Sequence, residues 1–295
     1  MIRQLKRDLV TEFIKFVSQL SGFTPKNTPS PFFIIGCGRS GNTLLRKLII
    51  ENTNAVIPAE TYVIPDIVKY YFISSKQKRL QNIKKIITEH PEARTLGIEE
   101  NSDIFNTLRG DSDIYSILEF FYKYIASIDN ITLVGDKTPL NTLFVERIQL
   151  IYPNAKFIYM HRNPLSVVSS YLDSGIYKNI DQATERWVDS ITQLKKIKDK
   201  NPNSVLEIDY EDLVYDPAVQ INRIIKFIGL KSESKPVKKL GDVEIHPHHE
   251  NVKKAITIGN IEKYKQKLDK KQIKKIEGLL GRNFYCKSLY VEKYR

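Results

Sequence analysis

Residues 32–45 run Phe32-Phe33-Ile34-Ile35-Gly36-Cys37-Gly38-Arg39-Ser40-Gly41-Asn42-Thr43-Leu44-Leu45. An apolar run leads into a glycine-rich turn and then into an amphipathic segment, which is the order strand, phosphate-binding loop and helix. Gly36 and Gly41 have the spacing of a P-loop, G-x-x-x-x-G-K-[ST], but Asn42 occupies the lysine position. Without that lysine the loop is poorly suited to the β- and γ-phosphates of ATP, so the sequence predicts a site for another phosphate-like group.

The composition indicates a folded, basic protein. The chain has 295 residues, an apolar content of 41% and a formal net charge of +12. That apolar content supports a substantial core, and a basic excess favours anionic partners. The basic residues are dispersed in runs such as Lys270-Lys271-Gln272-Ile273-Lys274-Lys275, which is typical of solvated helix faces. We therefore expect no nucleic-acid partner.

The cysteine and hydropathy patterns exclude several classes of protein. Cys37 and Cys286 are far apart in the sequence, which excludes a disulfide framework. They also lack the spacing of metal ligands. The run His246-Pro247-His248-His249 has no Asp or Cys companions, so we predict no metal site. No apolar run approaches the roughly 18 residues of a membrane span, and no signal-peptide core is evident. These features, with a Lys-, Ile- and Asn-rich composition, predict a bacterial cytoplasmic protein.

The N-terminal 30 residues form a segment of their own. Apolar residues recur at helical spacing over residues 2–20, with Arg3, Lys6, Arg7 and Lys15 alongside. We predict a helix that packs on the domain. Peripheral membrane contact through residues 1–20 is the alternative, and a homodimer is also considered.

Beyond the loop, predicted strands alternate with predicted helices. Strands are expected at 131–134, 155–160 and 205–208, and helices at 61–73, 76–90, 112–128, 141–151, 164–172, 181–200, 217–229, 260–268 and 269–281. Residues 91–113 are predicted to be loops. No repeat or linker divides the chain, so residues 31–295 are predicted to form a single α/β domain, a P-loop-type parallel sheet with helices on both faces. Ligands of such sheets bind at the C-terminal ends of the strands.

The loop after the first strand has the features of an anion site. Its glycines let backbone N–H groups approach an anion, Ser40 and Thr43 add hydroxyl groups, and the next helix offers its N-terminus. Arg39 adds a permanent charge that can bind phosphate or sulfate oxygens. The alternative is a tight structural turn with a surface arginine.

A second anion site is predicted after the 155–160 strand, in Met160-His161-Arg162-Asn163-Pro164-Leu165-Ser166-Val167-Val168-Ser169-Ser170-Tyr171. Arg162 leaves the strand end, and Pro164 suits the first turn of a helix. Ser166 and Ser170 share one helix face, and Ser170 is placed to meet a ligand held by Arg162. The alternative makes Arg162 a structural ion-pair partner. Two anion sites at two strand ends suit a ligand with phosphates at two positions.

Three segments together resemble the sulfotransferases that use 3′-phosphoadenosine 5′-phosphosulfate (PAPS). The family loop R-S-G-T-T-L is similar to Arg39-Ser40-Gly41-Asn42-Thr43-Leu44, and the family motif R-x₇-S is matched by Arg162 and Ser170. The family's Y-E-D-L segment is matched by Tyr210-Glu211-Asp212-Leu213. The resemblance covers about residues 31–265 and implies a three-layer α/β/α fold. It also implies PAPS binding by Arg39, Ser40, Gly41, Asn42, Thr43, Arg162, Ser170 and Tyr210.

The nearest resemblance within that family is to tyrosylprotein sulfotransferases and their bacterial relatives. Their G-E-E-T-x-x-I-P segment is similar to Pro58-Ala59-Glu60-Thr61-Tyr62-Val63-Ile64-Pro65, which implies that Glu60 is the general base. The alternative is that Glu60 caps the helix expected from Thr61. Lys137 resembles a lysine that neutralises charge on the transferring group; otherwise it is a surface lysine held by Asp136. Lys254, in a Q-V-x-K-P-V-like loop, is expected at the 3′-phosphate, although Ala255 replaces the proline.

The implied function is in-line transfer of a sulfuryl group from PAPS to a hydroxyl acceptor, without a metal. Arg39, Lys137 and the loop N–H groups would stabilise the leaving phosphate. The acceptor stays open: a peptide tyrosine, a sugar, a lipid or a small molecule. Two rivals remain. A P-loop kinase or NTPase would need Asp136 to hold Mg²⁺, and a non-catalytic anion-binding module would need no base.

Overall fold

Four strands form the sheet of the computed structural model, which describes residues 2–91, 96–99, 102, 105–109, 111–230 and 261–294. Numbered in chain order, the strands are β1 (Phe32–Gly36), β2 (Gly135–Lys137), β3 (Phe157–His161) and β4 (Val205–Asp209). Their spatial order is β2-β1-β3-β4, and β3 runs parallel to β4 with Phe157 opposite Val205 and His161 opposite Asp209. The predicted parallel sheet flanked by helices is confirmed.

The helices alternate with these strands, as predicted. They are α1 (Ile2–Leu20), α2 (Asn42–Asn52), α3 (Ile64–Ile73), α4 (Lys76–Glu89), α5 (Ile114–Ala126), α6 (Val145–Ile151), α7 (Pro164–Asp173), α8 (Ile180–Lys200), α9 (Tyr210–Tyr215), α10 (Pro217–Ile228), α11 (Lys270–Leu280) and α12 (Phe284–Tyr294). Short 3₁₀ turns precede β2, α6 and β4. The sequence patterns did not predict α9 or α12.

The chain divides into two compact units, each made of two segments. The first unit comprises Met1–Phe33 and Ala55–Lys156, and the second comprises Ile34–Asn54 and Phe157–Arg295. In the first unit α3 packs against α1, α4 and α6 around buried side chains such as Ile67. In the second, α8 packs against α7, α11 and α12, and its Trp187 is buried. The single domain over residues 31–295 stays a prediction.

Several predicted element bounds are wrong for local reasons. The strand expected at 131–134 is a 3₁₀ turn, Ile131–Leu133, because the Asn130 side chain accepts a hydrogen bond from the backbone N–H of Thr132; the strand follows at 135–137. The helix expected from Thr61 begins at Ile64, since Tyr62 has a left-handed φ of 57°. In the segment predicted as a helix at 260–268, the described residues form only the 3₁₀ turn Lys263–Gln266.

A partly buried polar network links the end of β3 to the middle of β4 in the second unit. The imidazole Nε2 of His161 lies 2.6 Å from a carboxylate oxygen of Glu207, and the ammonium group of Lys198 donates to the other oxygen. Burial lowers the pKa of His161, so the ring is neutral at pH 7. Burial alone would raise the pKa of Glu207, but hydrogen bonds from His161 and Lys198 bring it to about 2.

This network predicts a loss of stability in acid. Because both groups bind protons more readily in the unfolded chain, the free energy of unfolding falls as the pH drops below about 6.5 for His161, and from about 4.5 towards 2 for Glu207. With solvent screening, Glu207 contributes about 1–2 kcal/mol above pH 5. Urea denaturation followed by circular dichroism measures the free energy of unfolding. Between pH 5 and 2.5 this free energy should depend less on pH in Glu207→Gln than in the wild-type protein. Glu185→Gln, on the exposed side of α8, should keep the wild-type slope. Equal slopes in all three proteins would refute the assignment.

Candidate functional site

The loop between β1 and α2 contains three residues with left-handed backbone. Gly36, Arg39 and Gly41 have φ values of 140°, 67° and 97°. At Gly36 a Cβ atom would lie 2.7 Å from the carbonyl oxygen of Met160, so only glycine fits there. Arg39 is not a glycine, and its left-handed conformation carries strain of the kind that accumulates at functional sites.

Gly41 provides a test of the loop geometry. A Cβ atom at this residue would lie 2.5 Å from Cδ2 of Tyr210 and would also face an unfavourable φ. We expect Gly41→Ala to lower the free energy of unfolding by about 1–3 kcal/mol. Gly278→Ala is the matched control because open space surrounds Gly278 in α11, and it should stabilise by about 0.5–1 kcal/mol. Thermal unfolding of both variants measures the difference, and a neutral Gly41→Ala would contradict the geometry.

Two arginines predicted to bind anions meet at this loop. The Nε–H of Arg39 donates to the hydroxyl oxygen of Ser170 over 3.0 Å, and the guanidinium of Arg162 donates to the carbonyl oxygen of Arg39 over 2.9 Å. The Arg162 guanidinium also stacks 4.1 Å from the ring centre of Tyr210. Burial lowers the pKa of both arginines, and the charge of Arg162 lowers that of Arg39 further. Two half-buried like charges at one loop favour a bound anion.

The start of α2 provides hydrogen-bond donors at the same loop. The hydroxyl of Ser40 is buried and has no hydrogen-bond partner among the described residues. The N-cap of α2 is Gly41, which offers no side chain to the first-turn N–H groups. Thr43 is half-buried in that turn. Since buried polar groups are normally paired, the free Ser40 hydroxyl supports a ligand at this loop.

Asn42 has a structural contact that the sequence did not predict. Its side-chain amide donates to the carbonyl oxygen of Cys37 over 2.9 Å, and the residue is only 3% exposed. The side chain therefore stabilises the loop by a hydrogen bond to the loop's own backbone.

Two aromatic residues that the motifs did not reveal support the arginines and the loop. The indole N–H of Trp187 donates to the carbonyl oxygen of Arg162 over 3.2 Å, which fixes the backbone just after β3. The hydroxyl of Tyr171 lies 3.5 Å from the buried sulfur of Cys37 and 2.5 Å from the position of a Cβ atom at Gly38. The only sequence signal for Tyr171 was the glycine that makes room for it.

In the first unit, Lys137 and Glu60 form an ion pair. The ammonium group of Lys137, at the end of β2, donates to a carboxylate oxygen of Glu60, and their side chains are 6% and 17% exposed. Because α3 begins at Ile64 and has Val63 as its N-cap, the helix-capping alternative for Glu60 is wrong. Lys137 is buried, so the surface-lysine alternative is wrong too.

Asp136 is the centre of a buried network beside this pair. One carboxylate oxygen accepts hydrogen bonds from the hydroxyls of Thr61 and Tyr122, and the other accepts from Thr138 and Asn141. Burial raises the pKa of Asp136, and the donors oppose that rise. The network fixes residues adjacent to both Glu60 and Lys137. Since both oxygens are already engaged, Asp136 is a poor candidate for the Mg²⁺-holding acid of a kinase.

Ser166, Lys254 and the histidines at 246–249 are the remaining residues considered in the sequence. The hydroxyl of Ser166 donates to the carbonyl oxygen of Ile261, so Ser170 is the serine of α7 that faces the loop. Lys254 and the histidines at 246–249 lie outside the described residues. Within those residues, no group of three or more His, Cys, Asp or Glu side chains has a metal-binding arrangement. Likewise, none of the described helices is long and apolar enough to cross a membrane.

The chain is similar to two curated sulfotransferases. The chain is 26% identical over 249 residues to protein-tyrosine sulfotransferase A of Caenorhabditis elegans, which covers 80% of this chain and 57% of that protein. It is 22% identical over 244 residues to the omega-hydroxy-beta-dihydromenaquinone-9 sulfotransferase Stf3 of Mycobacterium bovis, covering 68% of this chain and 63% of that protein. The chain thus spans less than two thirds of the length of the curated relatives it matches.

The chain is also similar to a solved sulfotransferase structure and matches a family profile. The sulfotransferase domain from the curacin biosynthetic pathway superimposes with a TM-score of 0.58 at 21% identity, over 87% of this chain and 99% of that domain. This likeness confirms the predicted three-layer α/β/α sulfotransferase fold. The profile of the sulfotransferase family matches residues 31–234, which contain the glycine-rich loop, Glu60, Lys137 and the Arg162 segment. The chain belongs to the sulfotransferase family.

Proposed function

We propose that this protein transfers a sulfuryl group from PAPS to a hydroxyl acceptor. The observation that carries the proposal is the pair of half-buried arginines, Arg39 and Arg162, that meet at the glycine-rich loop. Family membership supports the reaction class. The departure from a P-loop, Asn42 in place of lysine, argues against a triphosphate as the ligand.

The residues of the second unit fit a donor with anionic groups at two positions. The loop N–H groups, the Ser40 hydroxyl and Arg39 would bind the phosphosulfate, and Arg162 with Ser170 would bind the 3′-phosphate. Tyr210 would lie near the nucleotide, and Lys254 would add charge at the 3′-phosphate. The guanidinium of Arg162 donates to the backbone carbonyl oxygen of Arg39, which connects the two proposed positions directly.

The residues of the first unit fit the chemistry of transfer. The acceptor oxygen would form a bond to sulfur while the bond from sulfur to the phosphate oxygen breaks. The hydroxyl proton would pass to the Glu60 carboxylate, and the leaving phosphate would carry away the bonding pair. Lys137 would stabilise the charge that develops on that oxygen.

The acceptor class is proposed from the relatives' names. One relative is named for protein tyrosine and another for the omega-hydroxyl group of a menaquinone. Both acceptors carry a hydroxyl group, so we expect a hydroxyl here. A kinase activity is not favoured, because Asp136 is occupied by four side-chain donors.

A transfer assay tests the proposal. The protein is incubated with isotopically labelled PAPS and four acceptor pools: tyrosine peptides, sugars, hydroxylated lipids, and small phenols and alcohols. We expect mass spectrometry to find label on a hydroxyl oxygen in one pool, and Glu60→Gln to abolish that product. Label transfer that survives Glu60→Gln in full would show that another group is the base. Tight PAPS binding without transfer to any pool would favour the anion-binding module.

A further inference from the structure

Helix α1 carries an apolar stripe that points away from the first unit. Five residues form it, and each keeps more than half of its surface exposed: Leu5 (60%), Leu9 (61%), Phe13 (56%), Phe16 (55%) and Leu20 (73%). At 3.6 residues per turn they fall within an arc of about 80° and extend over about 22 Å of helix. An amphipathic helix normally buries this face against its own core. The sequence predicted a helix that packs on the domain, but it did not predict which face packs.

The opposite, more polar face of α1 packs on the first unit instead. Thr11, Ile14 and Ser18 are buried. The guanidinium of Arg147 in α6 donates to the Thr11 hydroxyl over 3.1 Å, and Lys15 pairs with Glu146 over 2.6 Å. These contacts fix the rotation of the helix, so the apolar stripe is held outward.

We propose that a second copy of this chain covers the stripe, with the two α1 helices antiparallel about a two-fold axis. In a two-fold symmetric interface every contact occurs twice: if one residue of the first copy contacts another residue of the second, the same two residues also meet with the copies exchanged. The stripe has the symmetry this requires, since its spacing is nearly the same in both directions about its centre. Leu5 would oppose Leu20, Leu9 would oppose Phe16, and the two Phe13 rings would meet near the axis.

The exposed area is sufficient for a dimer. The stripe offers roughly 500–600 Å² of surface, given that fully covered aromatic residues bury about 150–250 Å² each. A symmetric pair covers about twice that area, which reaches the lower end of stable interfaces, about 1,200 Å² in total.

The charges around the stripe favour another copy over a membrane. Helices that lie on anionic membranes present Lys and Arg beside the apolar face. Among the residues of α1 whose side chains the structure describes, the exposed charges that flank the stripe are Lys6 and Glu12, which have opposite signs. The basic residues Arg7 and Lys15 lie on the side that packs on the first unit, with side chains only 9% and 26% exposed.

Light scattering after size-exclusion chromatography tests the dimer. We expect the full chain to have twice its 34.2 kDa mass, and Leu9→Glu and Phe16→Glu to be folded monomers by circular dichroism. Val219→Glu, an exposed apolar residue of α10, is the control and should remain dimeric. A monomeric wild-type protein, or a dimer that both α1 variants preserve, would overturn the proposal.

Cysteine cross-linking tests the orientation and does not depend on disruptive substitutions. The native Cys37 and Cys286 are buried, so an introduced thiol dominates oxidation. Under mild oxidation Phe13→Cys should form a disulfide-linked dimer, whereas Leu5→Cys should not, because its expected partner is Leu20. Efficient cross-linking of Leu5→Cys alone would contradict the antiparallel arrangement. Sedimentation of monomeric wild-type protein with phosphatidylglycerol-containing vesicles would instead identify a membrane as the occupant.

Discussion

Glu60→Gln is expected to lower the rate of sulfuryl transfer by about 10²–10⁴-fold, the usual contribution of a positioned general base. The amide cannot accept the proton of the acceptor hydroxyl, although it keeps the size of the side chain. Affinity for adenosine 3′,5′-bisphosphate should change little, because the proposed nucleotide contacts are made by residues of the second unit. Steady-state transfer rates and calorimetry on the same preparation separate the two effects.

Stability needs a separate control in this experiment, because Glu60→Gln leaves the ammonium group of Lys137 buried without its carboxylate. Removal of one partner of a buried pair is destabilising. The double variant Glu60→Gln/Lys137→Met should recover part of the thermal stability but none of the activity. Glu51→Gln, on the exposed side of α2, is a matched control that should keep full activity. If Glu60→Gln transferred sulfuryl groups at the wild-type rate, Glu60 would not be the base.

Arg162→Met is expected to weaken binding of adenosine 3′,5′-bisphosphate by about 10–100-fold, since a hydrogen bond to a charged group contributes about 1.5–3 kcal/mol. Methionine preserves much of the apolar contact with Tyr210 but has no donors. The substitution also removes the hydrogen bond that Arg162 donates to the carbonyl oxygen of Arg39, so the loop loses a support. Isothermal titration calorimetry measures the change.

Arg223→Met serves as the matched control for Arg162→Met. Arg223 is an exposed arginine of α10 whose guanidinium donates to the side-chain oxygen of Gln220. Its substitution should leave nucleotide affinity within about twofold of wild type, a difference of less than 0.5 kcal/mol. Equal losses of affinity in both variants would mean that general positive charge, and not the position of Arg162, attracts the nucleotide.

The parts of the site that could be predicted from the sequence are local in the chain. The loop was predicted because glycine spacing and a flanking strand and helix are neighbours in sequence. Ser170 was favoured over Ser166 because it lies two turns into the helix, where its hydroxyl could meet a ligand held by Arg162. Glu60 and Lys137 were identified by resemblance to the sulfotransferase family. No periodicity predicts that they form an ion pair across 77 residues.

The parts that could not be predicted depend on contacts between distant segments. Trp187 supports Arg162 from another helix, and Tyr171 lies against Gly38 and Cys37 across 134 residues. The side chain of Asn42 turns into the loop, although its type was compatible with direct ligand binding. For α1, periodicity predicted a helix but not which face packs on the first unit, because Arg147 and Glu146 determine its rotation.

Calorimetry with two nucleotides tests the central claim most directly. Adenosine 3′,5′-bisphosphate, the product of sulfuryl transfer from PAPS, is titrated into the protein in the presence of EDTA, and ATP is titrated with Mg²⁺. We predict saturable binding of the bisphosphate without a metal and much weaker binding of Mg²⁺-ATP. Mg²⁺-dependent binding of ATP, with no response to the bisphosphate, would contradict PAPS as the donor.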